Sequence, residues 1–224
     1  MNNYIALEIH DLANKLKGYN VLFNYRLSNL CVKAEPTALM PVTVLVADTE
    51  YNLEEVANIM RPDDFSFDVY PKNPNNLQEM INGIFDAHPE FKMELKTDKA
   101  EQEGAEDKHH AFYTMPPVDK DRRKLLNEAA KTFHKECVAK LEWAYDKRLA
   151  DTAQLLTRIP IQDADNARKV FEKTYNDAKE NAEKLLNAKL QEIEEGYQRY
   201  LAGKGNTWEN SYKDDTEIDV SSLI

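Results

Sequence analysis

Proline is all but excluded from helix interiors, where it removes a backbone donor and clashes with the preceding turn at a cost of ~3 kcal/mol. In this 224-residue chain all nine prolines fall outside three long stretches, and each stretch carries one apolar stripe at helical spacing. The first stripe is Ile5, Ile9, Leu12, Leu16, Tyr19, Phe23, Leu27 and Leu30, which predicts a helix of about 26 residues, ~39 Å long. The second follows the pair Pro116 and Pro117 and comprises Leu126, Ala130, Phe133, Cys137, Leu141, Tyr145, Leu149, Thr152 and Leu156, with Asp119 or Asp121 as a suitable N-cap. The third comprises Phe171, Tyr175, Ala178, Ala182, Leu186, Leu190, Ile193, Tyr197 and Leu201, with Asp163 as a cap ahead of it and Gly203 and Gly205 to stop it. A helix with a single apolar stripe is not stable by itself, so the three are expected to bury one another as a bundle.

The segment between the first and second helices has a different period. "PVTVLVAD", "DFSFDVY", "EFKMELK" and "HAFYTM" read as four extended runs, and Leu77, Met80, Ile81, Ile84 and Phe85 mark one short helix among them. The fold class is therefore α+β: a long three-helix bundle, discontinuous over residues 1–33 and 116–204, with a small α/β domain, 34–115, inserted after the first helix. The chain crosses between the two bodies twice, at Lys33 and Ala34 and at Met115, Pro116 and Pro117, and these five residues are the expected hinge. "KTDKAEQEGAEDKHH" reads as a solvated loop. Residues 205–224 read as an acidic tail, whose Val220, Leu223 and Ile224 offer a docking peptide.

Net charge is −11, which by itself opposes general affinity for nucleic acid. Its distribution matters more than its sum. Residues 34–117 hold 17 acids and 6 bases and the tail from Ala202 holds 5 acids and 2 bases, so the predicted helices together come out near +3. No long apolar run or leader-like segment is present, and Cys31 and Cys137 stand isolated as small buried hydrophobes. Together these features predict a soluble cytoplasmic protein without membrane contact.

Catalytic patterns are missing from the residues: no paired carboxylates, no Ser-His-Asp or Cys-His signature, and no phosphate loop among only six glycines. His134 and Cys137 share a helix face, and His109 and His110 could join them, but the ligand spacing of a zinc site is lacking and no metal or other cofactor is expected. Glu192, Glu194 and Glu195 read as a solvated helix face. Arg122, Arg123 and Lys124 either balance Asp119 and Asp121 or touch RNA. Trp143 reads as boundary packing, with exposure for a protein partner as the other possibility.

Several short motifs, in order, resemble those of the ribosome recycling factor family. "KAEPTAL" resembles its Arg-Ala-x-Pro-Ser-Leu-Leu, "NLEEVANIM" its Leu-Asn-Gln-Val-Ala-Asn-Val, and "MPPVDKDRRKLL" its Leu-Pro-Pro-Leu-Thr-x-Glu-Arg-Arg-Lys-x-Leu; "EKLLNAKLQEIEE" fits the end of its last helix. The resemblance implies a non-enzymatic translation factor that binds the large ribosomal subunit, splits post-termination ribosomes with elongation factor G, and grips ribosomal RNA through arginines of the helical body.

Residue by residue, this chain departs from that pattern. The family's Val-Arg-Thr-Gly-Arg-Ala falls on "NLCVKA", so its arginines become Leu30 and Lys33, and its Arg-Asn-Ile-Arg-Arg falls on "EWAYD", placing Glu142, Tyr145 and Asp146 where arginines stand. Carboxylates beside phosphate repel, and each charged hydrogen bond lost with an arginine is worth roughly 1.5–3 kcal/mol. The cations left for RNA are Lys33, Arg122 and Arg123, joined after a one-turn shift of the second helix by Lys140, Lys147 and Arg148. Two functions follow. The chain binds the ribosome as a specialised paralogue, or it reuses the scaffold for an unknown protein partner recognised around Glu142, Trp143 and Asp146.

Overall fold

A computed structural model describes residues 3–99 and 107–203. Three long helices form as their stripes require: α1 (Asn3–Ser28), α4 (Lys120–Leu156) and α5 (Ile161–Leu201). Between α1 and α4 run β1 (Thr43–Val46), β2 (Thr49–Asn52), the single turn α2 (Leu53–Val56), β3 (Ala57–Asp63), β4 (Ser66–Pro71), α3 (Leu77–Ala87), β5 (Lys92–Asp98) and β6 (Lys108–Thr114). The small domain is thus inserted after the first helix.

Asp119, directly ahead of α4, accepts a hydrogen bond from Arg122 N at 2.7 Å and so satisfies one of the donors left open at a helix start. Asp163 does not cap α5. The helix begins two residues earlier, because Pro160 already has a helix-compatible φ and its carbonyl accepts from Ala164 N at 3.0 Å; Asp163 lies in the first turn, where its charge suits the positive helix end.

The chain divides into two compact units, one made of the residues up to Ser28 with Lys124–Glu192, the other of Asn29–Arg123 with the chain from Ile193 onward. In the first unit Ile5, Leu12, Leu16, Phe23 and Leu27 of α1 are buried, as are Ala130, Cys137, Leu141 and Ala144 of α4 and Ala167, Phe171 and Ala182 of α5. Asn20, Thr152 and Lys189 are the buried polar residues of this unit among the described residues, and the first links all three helices. Asn20 donates from Nδ2 to the Ala178 carbonyl at 2.9 Å, and the Cys137 thiol donates to Asn20 Oδ1 at 3.7 Å, so one amide ties α1 to both other helices. Arg148 pairs with Glu8 and Arg26 with Glu136, binding α4 to α1 at two further levels.

In the second unit, β3, β4, β6 and β5 pair in that order as an antiparallel sheet, and β1 and β2 form a separate hairpin. Strand alternation places Phe67, Val69, Ala111 and Tyr113 on the face that packs with Met80 and Ile84 of α3 and with Val44 of β1. Gly83 permits that approach, since a Cβ there would collide with the Thr43 carbonyl. Pro62 is tolerated because β3 is an edge strand whose register shifts between Met60 and Asp63. Lys96–Asp98 and Lys108–His110, expected within a solvated loop, are instead paired strand. Residues 100–106 of that loop and the tail with Val220, Leu223 and Ile224 lie outside the described residues.

The two segments expected to carry the chain between the bodies both lie within this unit: Cys31, Ala34 and Met115 are buried in its core, Ala34 N donates to Asp64 O and Met115 N to Phe65 O, each at 2.8 Å. The end of α5 packs there too. Gly196 faces Val32 and Val118, where an added Cβ would sit 2.8 Å from Val32 Cγ1.

Candidate functional site

The residues expected to meet RNA are spread over both units. In the second, Arg122 donates to the Cys31 carbonyl at 2.7 Å and to the Pro116 carbonyl, and burial lowers its pKa from the usual arginine range. Arg123 pairs with Glu194 at 2.6 Å and lies over the Tyr197 ring. Both guanidinium groups are therefore committed to structure. Lys33 and Leu30 are half-buried, and of the five expected hinge residues Ala34 and Met115 are fully buried while Lys33, Pro116 and Pro117 are half-buried.

In the first unit, α4 presents two chemically different flanks. Towards α1 stands Trp143, 53% exposed, with Lys15 Nζ 4.6 Å and Lys147 Nζ 5.2 Å from its ring centroid. It is more exposed than boundary packing requires, and two ammonium groups lie over its ring. Lys140 is exposed on the same helix, and Arg148 is taken up by Glu8. Lys15 was not legible as a site residue, because its neighbour is 128 positions away and only helix packing brings the two together.

Towards α5 the flank is acidic. Tyr145 and Tyr175 stack at 4.7 Å between centroids, and the pKa of each is raised by burial first and then by neighbouring carboxylates, Glu172 and Asp146 for Tyr145, Glu142 and Asp146 for Tyr175. The altered positions of the "EWAYD" stretch therefore fall together, and only Trp143, between them in sequence, lies apart. Glu142, Tyr145 and Asp146 belong to an acidic, ring-stacked seam with α5, whereas Trp143 belongs to a basic, aromatic strip with α1.

The histidines weighed as metal ligands do not converge. His134 faces Glu183 at 3.1 Å and the Phe23 ring within the first unit, whereas His109 and His110 lie on β6 of the second, His110 buried and 3.2 Å from Asp68. Cys137 is buried beside Asn20, and burial pushes its thiol up to about 11. Among Glu192, Glu194 and Glu195, the first two hold Lys189 and Arg123. No helix among the described residues is long and apolar enough to cross a membrane.

No curated protein matches the chain in sequence. Its fold is similar to a solution structure of the ribosome recycling factor, with a TM-score of 0.66 at 13% identity, covering 87% of this chain and 100% of that one. A second likeness is to models for the T. thermophilus ribosome recycling factor and the E. coli elongation factor G bound to the E. coli post-termination complex, with a TM-score of 0.54 at 18% identity over 84% of this chain and 98% of that one. At such identities the likeness establishes the fold. The family model for ribosome recycling factor matches residues 25–193, well over half of the sequence, which includes β1 to β6, the whole of α4 and most of α5: the chain belongs to the ribosome recycling factor family.

Proposed function

We propose that this protein binds the ribosome as a non-catalytic recycling-type factor, in company with the translocation GTPase elongation factor G, and that it is a specialised paralogue that grips ribosomal RNA with a different set of side chains. The observation that carries the reading is Trp143, 53% exposed, with the Lys15 and Lys147 ammonium groups beside its ring. An exposed aromatic with cations on long side chains beside it suits single-stranded or looped RNA: the ammonium groups swing off the ring to the adjoining phosphates and the ring stacks on a base. Lys140 extends the cationic strip along α4, while Arg122 and Arg123, spent on internal contacts, contribute little to it.

Co-sedimentation with purified large subunits tests this. The wild type is expected to pellet with subunits at low salt, and Trp143→Ala to bind roughly 5- to 150-fold more weakly, the range spanned by loss of one base-aromatic stack. Lys15→Glu with Lys147→Glu is expected to abolish binding. Absence of wild-type binding at low salt overturns the reading. A second reading, a protein partner on α4, is favoured by one observation, the seam of Glu142, Asp146 and Glu172 around the Tyr145–Tyr175 stack. It predicts the reverse pattern: Glu142→Lys with Asp146→Lys removes binding and Trp143→Ala leaves it.

A further inference from the structure

α1 carries apolar side chains on its solvent side as well as on the side that faces the bundle. Its buried positions, Ile5, Leu12, Leu16, Phe23 and Leu27, recur at the helical period. So does a second row, Tyr4, Leu7, Asp11, Asn14, Gly18, Val21 and Tyr25, every member of which is exposed. At ~3.6 residues per turn this row lies almost opposite the buried one. Leu7 and Val21 are each 60% exposed and Tyr4 70%, with Leu22, 46% exposed, beside the row.

Single exposed apolar residues are ordinary and call for no partner. These are not scattered. Among the described residues, the 26 positions of α1 hold five exposed large apolar side chains, against two on the 37 of α4 and three on the 41 of α5. The row advances by alternating steps of three and four, which is the spacing of a coiled-coil seam, and one stripe is all that a helix needs to join a bundle.

We propose that α1 pairs with α1 of a second copy of this chain, antiparallel and about a two-fold axis. The row itself selects that occupant. One register sets Tyr4 against Val21, Leu7 against Gly18 and Asp11 against Asn14, and the axis repeats each pair. A Cβ added at Gly18 would meet nothing within 4 Å, so the space above it is open to Leu7 of the other copy. The Tyr4 ring covers the smaller Val21. The Asp11 carboxylate accepts from the Asn14 amide, a polar layer of the kind that fixes register and direction. Parallel pairing would instead oppose Asp11 to Asp11 and Gly18 to Gly18, setting like charges together across a gap. A closed, isologous contact of this sort is the commonest form of homo-oligomer. One pair of helices makes an interface at the low end of the specific class, ~1,200 Å². With −11 on each copy the dimer is weak, and added salt strengthens it by screening, the opposite sign to a grip on RNA.

Sedimentation velocity of the full, reduced chain over a concentration series tests this. Mass is expected to rise from monomer towards dimer with concentration, and further with added salt. Leu7→Glu and Val21→Glu, both at exposed positions and checked for helix content by circular dichroism, are each expected to raise the dissociation constant at least ~10-fold. Leu125→Glu, the same change at a leucine of α4 that is 64% exposed, should associate as the wild type does. Register is read with introduced cysteines, since Cys31 and Cys137 are both buried. A mixture of Leu7→Cys and Gly18→Cys chains is expected to cross-link under mild oxidation, and neither chain with itself. A wild type that is monomeric at every concentration, association unchanged in Leu7→Glu, or Leu7→Cys joined to itself in preference to Gly18→Cys overturns the proposal. So does association lost on removal of residues 205–224, which would make the tail the occupant of this face. None of these readouts involves the ribosome, so they stand apart from the reading above.

Discussion

Asn20 occupies a position where a bundle stripe would ordinarily carry an aliphatic residue. It is 6% exposed, and its two bonds reach the Ala178 carbonyl and the Cys137 thiol. A buried amide of this kind penalises every register in which its partners are displaced. Asn20→Ala is expected to cost about 1–2 kcal/mol, read as a lower urea midpoint at unchanged slope, and to make the Cys137 thiol react faster with a disulfide reagent. Tyr113 is the opposite case. Its ring fills the core of the second unit, but its hydroxyl has no hydrogen-bond partner among the described residues, and burial raises its pKa. Because the folded pKa lies above the unfolded value of about 10, the associated stability is complete below pH ~10 and is lost as pH rises through the folded pKa. Tyr70 acts in the same direction, pushed up to about 12 by burial and by its bond to Asp98. Tyr113→Phe is therefore expected to stabilise the protein by about 1 kcal/mol at neutral pH and to move its alkaline unfolding midpoint upward, followed by circular dichroism. An unchanged alkaline midpoint would show that this hydroxyl is paired or already hydrated.

At the scale of elements, the hairpin β1–β2 rests on Ala47 and Asp48, both at positive φ, 48° and 63°, between the paired residues Val46 and Thr49. A two-residue loop with two positive φ values favours asparagine and glycine, so Ala47 is strained by ~1–2 kcal/mol. Ala47→Gly removes the strain but frees the unfolded chain, leaving an expected net gain of about 0.5–1 kcal/mol in thermal unfolding. The same detail explains why β2 was not legible: Ala-Asp is not a hairpin signal, and "TEYN" is exposed throughout and shows no alternation. β3 escaped for a related reason. It is an edge strand with Pro62 in it and few buried positions, so neither composition nor period marks it. The long helices, by contrast, were legible to within a few residues, because dozens of positions repeat one period and no proline interrupts it.

For the molecule as a whole, charge decides how a ribosome-bound state behaves. The protein carries a net −11, so any grip on RNA depends on a local strip rather than on its general field. With Lys15, Lys140 and Lys147 each neutralising one phosphate, the logarithm of the binding constant is expected to fall with that of salt concentration at a slope of about −2 to −3. A slope near zero would assign the contact to an uncharged surface, and a much steeper one would mean that other cations take part.

The spacing of apolar residues and the placing of prolines sufficed for the three helices, the inserted domain and the kinship, because these depend on local periods and on motif order that a linear reading preserves. Which cations are spent internally, and which flank of α4 is basic and which acidic, were decided only by packing. Those relations join side chains tens to more than a hundred residues apart, and no period or motif in the chain encodes the distance between them.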